Sequence, residues 1–241
     1  MLKPALSQRR FEALQAWSEI PTGEWLQAEV AAQLDGLSER IFGYYFARVG
    51  ALSASIPLPH LRVRRDISIA PSGTAAVIAQ PTAWPFGEHS LDGLLSVLQL
   101  EFQHDPHLYL RELSRSLVAN GYFIHVGMNP FALAQLRRLA WWQQQPSIFA
   151  GRWFSQARVK DWLHLLNFEV VDSGYFAPTM LIESLDSRNR VQKGVFKLLP
   201  KLSAMYYIVG RKREYPLTWI KLRPQVKQRL QTMPLANRLE Q

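Results

Sequence analysis

Apolar residues along the chain follow two spacings. Trp25, Val30, Leu34, Leu37 and Ile41 recur at roughly helical intervals; with Thr22 as N-cap and Glu24 in the first turn they predict a helix over 24–42. A shorter helix is expected over 8–18, and Pro21-Thr22-Gly23 separates the two. The segment "YYFARVG" that follows is apolar on both faces, as a strand inside a parallel sheet is, and the chain must bend at Val49-Gly50. Pro57 and Pro59 then exclude a long helix directly after Gly50. "LRVRRDISIA" alternates like a strand, Pro71-Ser72-Gly73 is a turn, and "TAAVIAQ" reads as a second strand. The connection is too short for the crossover of about a dozen residues that parallel neighbours need, so either these segments pair as an antiparallel hairpin or one of them is not a strand.

The second half of the chain is cleaner. "LDGLLSVLQL" has buried-strand character, "DPHLYLRELSRSLV" helical periodicity, Asn120-Gly121 a turn, and "YFIHVGM" a further strand: a crossover of the length a parallel sheet requires. A helix is expected over 131–145. Ser155 caps another that runs to Leu166 and stops at Asn167, and "FEVVDS" and "SAMYYIVGRKR" supply the last strands. Beyond them Pro216, Pro224 and Pro234 leave room for one short helix near 224–231. Strands alternating with helices make the fold class α/β.

Composition narrows the function. Hydrophobic residues make up 48% of 241, enough for a sizeable core. There is no cysteine, which excludes disulfides, thiolate metal sites and a cysteine nucleophile. No apolar run has the length of a signal peptide or a membrane span, so a cytoplasmic protein without a transmembrane segment is expected. The net charge is +9, and from Arg211 onward eight Lys or Arg face only Glu214 and Glu240. Such a tail suits an anionic partner, RNA or a lipid surface, or simply solvates the chain's end.

The stretch "WPFGEHSLDGLLSVLQLEFQHDPHLYLRELSRSLVANGYFIHVGMNP" resembles the central half of class I S-adenosylmethionine-dependent methyltransferases: an entry to the fourth strand, a D-P-x-x-x-L-R-E helix and an L-x-x-x-G passage into the fifth. "LRRL", "DWLHLLNFEV" and "YYIVGRKR" are similar to a bacterial subgroup of such domains, and the resemblance extends over roughly residues 22 to 213. It implies a Rossmann-like, mostly parallel seven-stranded sheet with helices on both faces and an antiparallel last strand. S-adenosylmethionine would lie at the carboxyl ends of the first strands, where open α/β sheets bind ligands. The division implied is a helical segment over 1–43, a methyltransferase-like domain over 44–213 and a basic tail over 214–241.

Carried over residue by residue, the resemblance places the cofactor beside Arg48, Gly50 and Ala51, with Asp66 and Ser68 toward the ribose, Gln80 toward the adenine and Leu98 after the fourth strand. The first motif departs from the family pattern. Arg48 stands where an acid is usual, and of the glycines Gly50 alone remains; Arg48 is suited to a carboxylate. Glu101, His104 and Asp105 follow the fourth strand and are the candidates for proton transfer to or from an acceptor the sequence does not name; Asp105, just before Pro106, equally suits an N-cap.

Other patterns carry less. Asn129 in "MNPF" follows the fifth strand and reads as ordinary turn chemistry. "LRRLAWWQQQPSIFAGRWF" mixes Arg with aromatics, which suits stacking on a substrate or packing on the sheet. The six histidines show no ligand spacing and no metal is expected. Two functions stand: a methyltransferase, and a fold of that kind that has lost catalysis and binds an anionic partner through its tail and aromatic-Arg loop.

Overall fold

The computed structural model describes residues 12–135, 147–179, 181 and 200–214. Seven strands form one sheet: β1 (Phe42–Val49), β2 (Arg62–Ala70), β3 (Val77–Ile78), β4 (Leu91–Val97), β5 (Leu117–Met128), β6 (Phe168–Phe176) and β7 (Met205–Lys212). Their order is β3-β2-β1-β4-β5-β7-β6. All pairings are parallel except those of β7, which runs antiparallel to β5 and β6. The order reverses between β1 and β4, so a crevice opens above their carboxyl ends.

Helices cover both faces. On one, α1 (Gly23–Ser38) buries Leu26, Val30, Leu34 and Leu37 against Phe46, Leu95, Val97 and Ile124. On the other, α3 (Pro106–Ser116) and α4 (Gln156–Leu165) bury Tyr109, Leu113, Val159 and Leu163 against Ala47, Leu94, Phe123 and Ile208. Successive strand residues thus serve opposite cores, which is why these strands read as continuous apolar runs. The Asp105 carboxylate accepts from the His107 and Leu108 N–H groups and starts α3 with Pro106 in its first turn. Ser155 accepts from Arg158 N–H at the start of α4, and Asn167, in the left-handed region at φ 61°, ends it.

Several expectations need correction. Residues 12–16 are not helical; a single 3-10 turn, Trp17–Glu19, follows them. Leu14, Trp17 and Ile20 are all buried, and their spacing of three is shared by a short turn and a helix face. The helix expected over 24–42 ends at Ser38, since Phe42 already belongs to β1. Thr22 holds the N-cap position without capping: its φ is 59° and its hydroxyl donates to Pro21 O at 2.6 Å.

"TAAVIAQ" contributes only the two residues of β3, and these pair in parallel with Ile69 and Ala70, so both segments are strands and they form no hairpin. Six residues suffice because the chain needs to step back by about one residue's rise, not by a strand's length. Asn120-Gly121 is not a turn between elements. It lies inside β5, with Asn120 at φ 64°, where the register with β4 shifts between Leu91 and Gly93. Of the helix expected over 131–145, residues 133–135 form a 3-10 turn and 136–145 lie outside the described residues, as does the tail after 214 with its expected helix. No helix among the described residues is long and apolar enough to cross a membrane.

Candidate functional site

Gly50 ends β1 and turns the chain into α2 (Ala51–Ala54), one turn long. Its φ is 87°, its N–H donates to Ile69 O at 2.7 Å, and a Cβ there would overlap the side-chain amide of Gln99. Glycine is therefore required by both backbone angle and space. Beside it a cleft of about 460 Å³ opens at the carboxyl ends of β1 and β2, lined by Gly50, Ala51, Ser68 and Ala70. A second lobe of about 750 Å³ is lined by Gln80, Phe102, Gln103 and His104. Gln15 and Ser72 border both lobes, so the N-terminal segment and the loop after β2 form a shared wall.

The structure thus brings together Gly50, Ala51 and Ser68 in one lobe, and Gln80 and His104 in the next. Ser68 Oγ accepts from Ala76 N–H at 2.9 Å and so also holds the loop leading to β3; its hydroxyl proton stays available to donate. Arg48 and Asp66 are not aimed into the cleft as separate ligands. The Arg48 guanidinium donates to both Asp66 oxygens, with Nη2 at 2.6 Å from Oδ2, and Nη1 donates to Ile56 O. Leu98 is buried at φ 52°, its N–H bound to Val126 O, and lines neither lobe.

Glu101 lies deeper. It is fully buried, one carboxylate oxygen accepting from Met128 N–H at 3.1 Å and the other without a partner. Burial pushes its pKa up to about 8, against the lowering effect of its backbone hydrogen bonds. Around it stand residues that the sequence does not single out. Gly127 leaves a space whose Cβ position is 2.6 Å from Glu101 Oε1, 2.8 Å from His125 Nε2 and 2.8 Å from Tyr206 OH. Burial drives His125 down to about 3 and Tyr206 well above its ordinary value, so this cluster is neutral near neutrality. Arg152 N–H donates to Glu101 O, so the segment after Ala150 closes over it.

The Arg-aromatic stretch is described only from Ser147 on. There Phe149 stacks on Trp153 at 5.2 Å, and the guanidiniums of Arg152 and Arg158 lie over Phe154. These rings pack on the protein, as snorkelling Arg stems over aromatics do. No group of His, Asp and Glu suited to a metal ion occurs among the described residues.

No protein-family model matches the chain. It is 30% identical over 218 residues to uncharacterized protein YafS of Escherichia coli K12, a match covering 90% of this chain and 88% of YafS. The chain belongs to the YafS family. The YafS-family chain also superposes on solved structures at low identity. A geranyl diphosphate C-methyltransferase from Streptomyces coelicolor, in complex with Mg2+, geranyl diphosphate and S-adenosyl-L-homocysteine, matches with TM-score 0.55 and 13% identity, covering 79% of this chain and 80% of that one. An S-adenosylmethionine-dependent methyltransferase from Thermotoga maritima matches with TM-score 0.53 and 18% identity, covering 82% and 100%. The YafS-family fold is that of class I S-adenosylmethionine-dependent methyltransferases, as the strand order and the reversed β7 require.

Proposed function

We propose that this YafS-family protein is an S-adenosylmethionine-dependent methyltransferase. The observation that carries the reading is the open cleft beside Gly50, at the carboxyl ends of β1 to β3, where a Cβ-free turn allows close approach to the backbone. S-adenosylmethionine, when bound, supplies an electrophilic methyl group that needs alignment more than covalent help. Gly50 and Ala51 would face its amino-acid end, Ser68 would donate to a ribose hydroxyl, and Gln80 would accept from the adenine amine. The unpartnered oxygen of buried Gln99, next to Gly50, is a further acceptor for the ammonium group.

His104, which with Glu12 is an exposed ionisable group of the larger lobe, would take the acceptor's proton. Glu101, buried and protonated, would position the loop after β4, and Asp105 would keep its place at the head of α3. The basic tail and the unknown acceptor lie beyond the residues described. Titration with S-adenosylmethionine and S-adenosylhomocysteine, followed by thermal unfolding, tests the reading: a ligand bound to the folded chain alone raises the midpoint with the logarithm of its concentration. An unchanged midpoint at millimolar ligand refutes it. Such a result would favour the second reading, a non-catalytic binding fold.

A further inference from the structure

The opposite end of the sheet presents a surface that the cleft does not use. β1 enters with Phe42 77%, Tyr44 64% and Tyr45 46% exposed, an unusual run for a central strand. Its partner in this half is Arg62–Arg65 of β2: Phe42 lies opposite Arg62 and Tyr45 opposite Arg65. Arg62, Arg64 and Arg65 are all exposed, and none forms an ion pair among the described residues, whereas Arg48, Arg115 and Arg213 do.

Three neighbouring acids are already engaged. Asp66 is bound by Arg48, the Asp92 carboxylate accepts from the N–H groups of Tyr44 and Tyr45, and Asp35 pairs with His60. By strand alternation Phe42, Tyr44, Arg62 and Arg64 share one face of the sheet and Tyr45 and Arg65 the other, so the patch is two aromatic rings beside two guanidiniums without an ion pair. β3 pairs with β2 only at Ile69 and Ala70, so no strand covers the outer side of Arg62–Ser68 among the described residues.

Rings and guanidiniums alternating on a sheet match one chemistry closely. Unstacked bases lie on exposed aromatic faces, while phosphates take charge-assisted hydrogen bonds from Arg. Along a strand, residues two apart are roughly 6.7 Å from each other, which leaves space for a base between successive rings. Single strands with splayed bases are what RNA offers and what sheet surfaces bearing aromatics bind. We propose that Phe42, Tyr44, Arg62 and Arg64, on one face of the sheet, form a docking surface for single-stranded RNA. It stands at the amino ends of β1 and β2, away from the cleft, and does not depend on the methyltransferase reading.

The test uses the full chain and a labelled RNA 12-mer without secondary structure, with affinity measured by anisotropy between 50 and 200 mM salt. Matched single-stranded DNA, duplex DNA and vesicles containing phosphatidylserine form the other arms. Phe42→Ala/Tyr44→Ala weakens RNA binding about tenfold or more with the salt slope retained, because stacking carries no charge. Arg62→Ala/Arg64→Ala reduces the slope by about 1.4, since each phosphate contact on a single strand contributes about 0.7. All four side chains are exposed, so the thermal midpoint stays within a few degrees of the parent's and reports that the variants fold. Binding that neither variant changes would assign RNA to another part of the chain and overturn the proposal. So would absence of RNA binding at 50 mM salt, equal affinity for single-stranded DNA, or vesicle binding that the variants abolish while RNA binding persists.

Discussion

Arg48 and Asp66 meet across β1 and β2 with 2.6 Å between Nη2 and Oδ2, although the register aligns Arg48 with Ser68 and Asp66 with Phe46. The pair is therefore diagonal, and the two charges satisfy each other. Arg48 is the more buried partner, with 11% of its side chain exposed against 36% for Asp66. Removing the carboxylate leaves a nearly buried cation. Asp66→Asn is expected to cost about 2–4 kcal/mol in urea unfolding, while the double variant Arg48→Met/Asp66→Val recovers most of that loss.

In the proposed binding mode Ser68 faces the ribose, where a carboxylate would grip both hydroxyls. Ser68→Asp keeps an acceptor for Ala76 N–H and adds a charged acceptor facing the smaller lobe. S-adenosylmethionine affinity, measured by calorimetry, is expected to rise about tenfold, in line with a hydrogen bond to a charged group. An unchanged or lower affinity would mean that the ribose lies elsewhere.

Gly50 should not tolerate a side chain. Gly50→Ala places a Cβ at φ 87° and against the Gln99 amide. Backbone strain of about 1–3 kcal/mol is expected to lower the unfolding midpoint. Gln99 would have to swing aside, and the S-adenosylmethionine-induced rise in midpoint should disappear even where the variant remains folded.

How much of this was legible beforehand depends on sequence distance. The α4 helix could be read to within a residue because Ser155 and Asn167 act on their own neighbours. β4 and α3 were legible to within a few residues, and β5 only from Tyr122 onward, since its start at Leu117 reads locally as helix and turn. The parallel two-residue β3, the bulge at Asn120 and the Arg48–Asp66 diagonal were not, because each is decided by which strand lies alongside. Glu101 was marked by its place after β4, yet its burial comes from Arg152 and Met128, dozens of residues away. Gln99, His125 and Tyr206 left no sequence signal; their significance appears only when the space at Gly127 and the packing at Gly50 are seen.

The Glu101–His125 cluster makes stability depend on pH in opposite senses. Glu101 has a folded-state pKa near 8 against an ordinary 4.5, so its contribution is full below about 4.5 and declines as pH rises toward 8. His125 has a folded-state value near 3 against 6.5, so its contribution is full above about 6.5 and declines as pH falls toward 3. Between about 4.5 and 6.5 the two slopes cancel; outside that window each amounts to at most about 1.4 kcal/mol per pH unit. Urea midpoints across pH are expected to show this plateau, and Glu101→Gln should flatten the alkaline limb while leaving the acid limb in place.

The outer side of β2 from Arg62 to Ser68 has a further consequence. Unpaired N–H and C=O groups along a strand are a template on which a second copy can extend the sheet, and solubility depends on blocking that growth. Repulsion between the guanidiniums of Arg62, Arg64 and Arg65 on two approaching copies does so. Replacing all three with apolar β-formers would convert the edge into an aggregation site and turn a dispersed protein into a precipitating one.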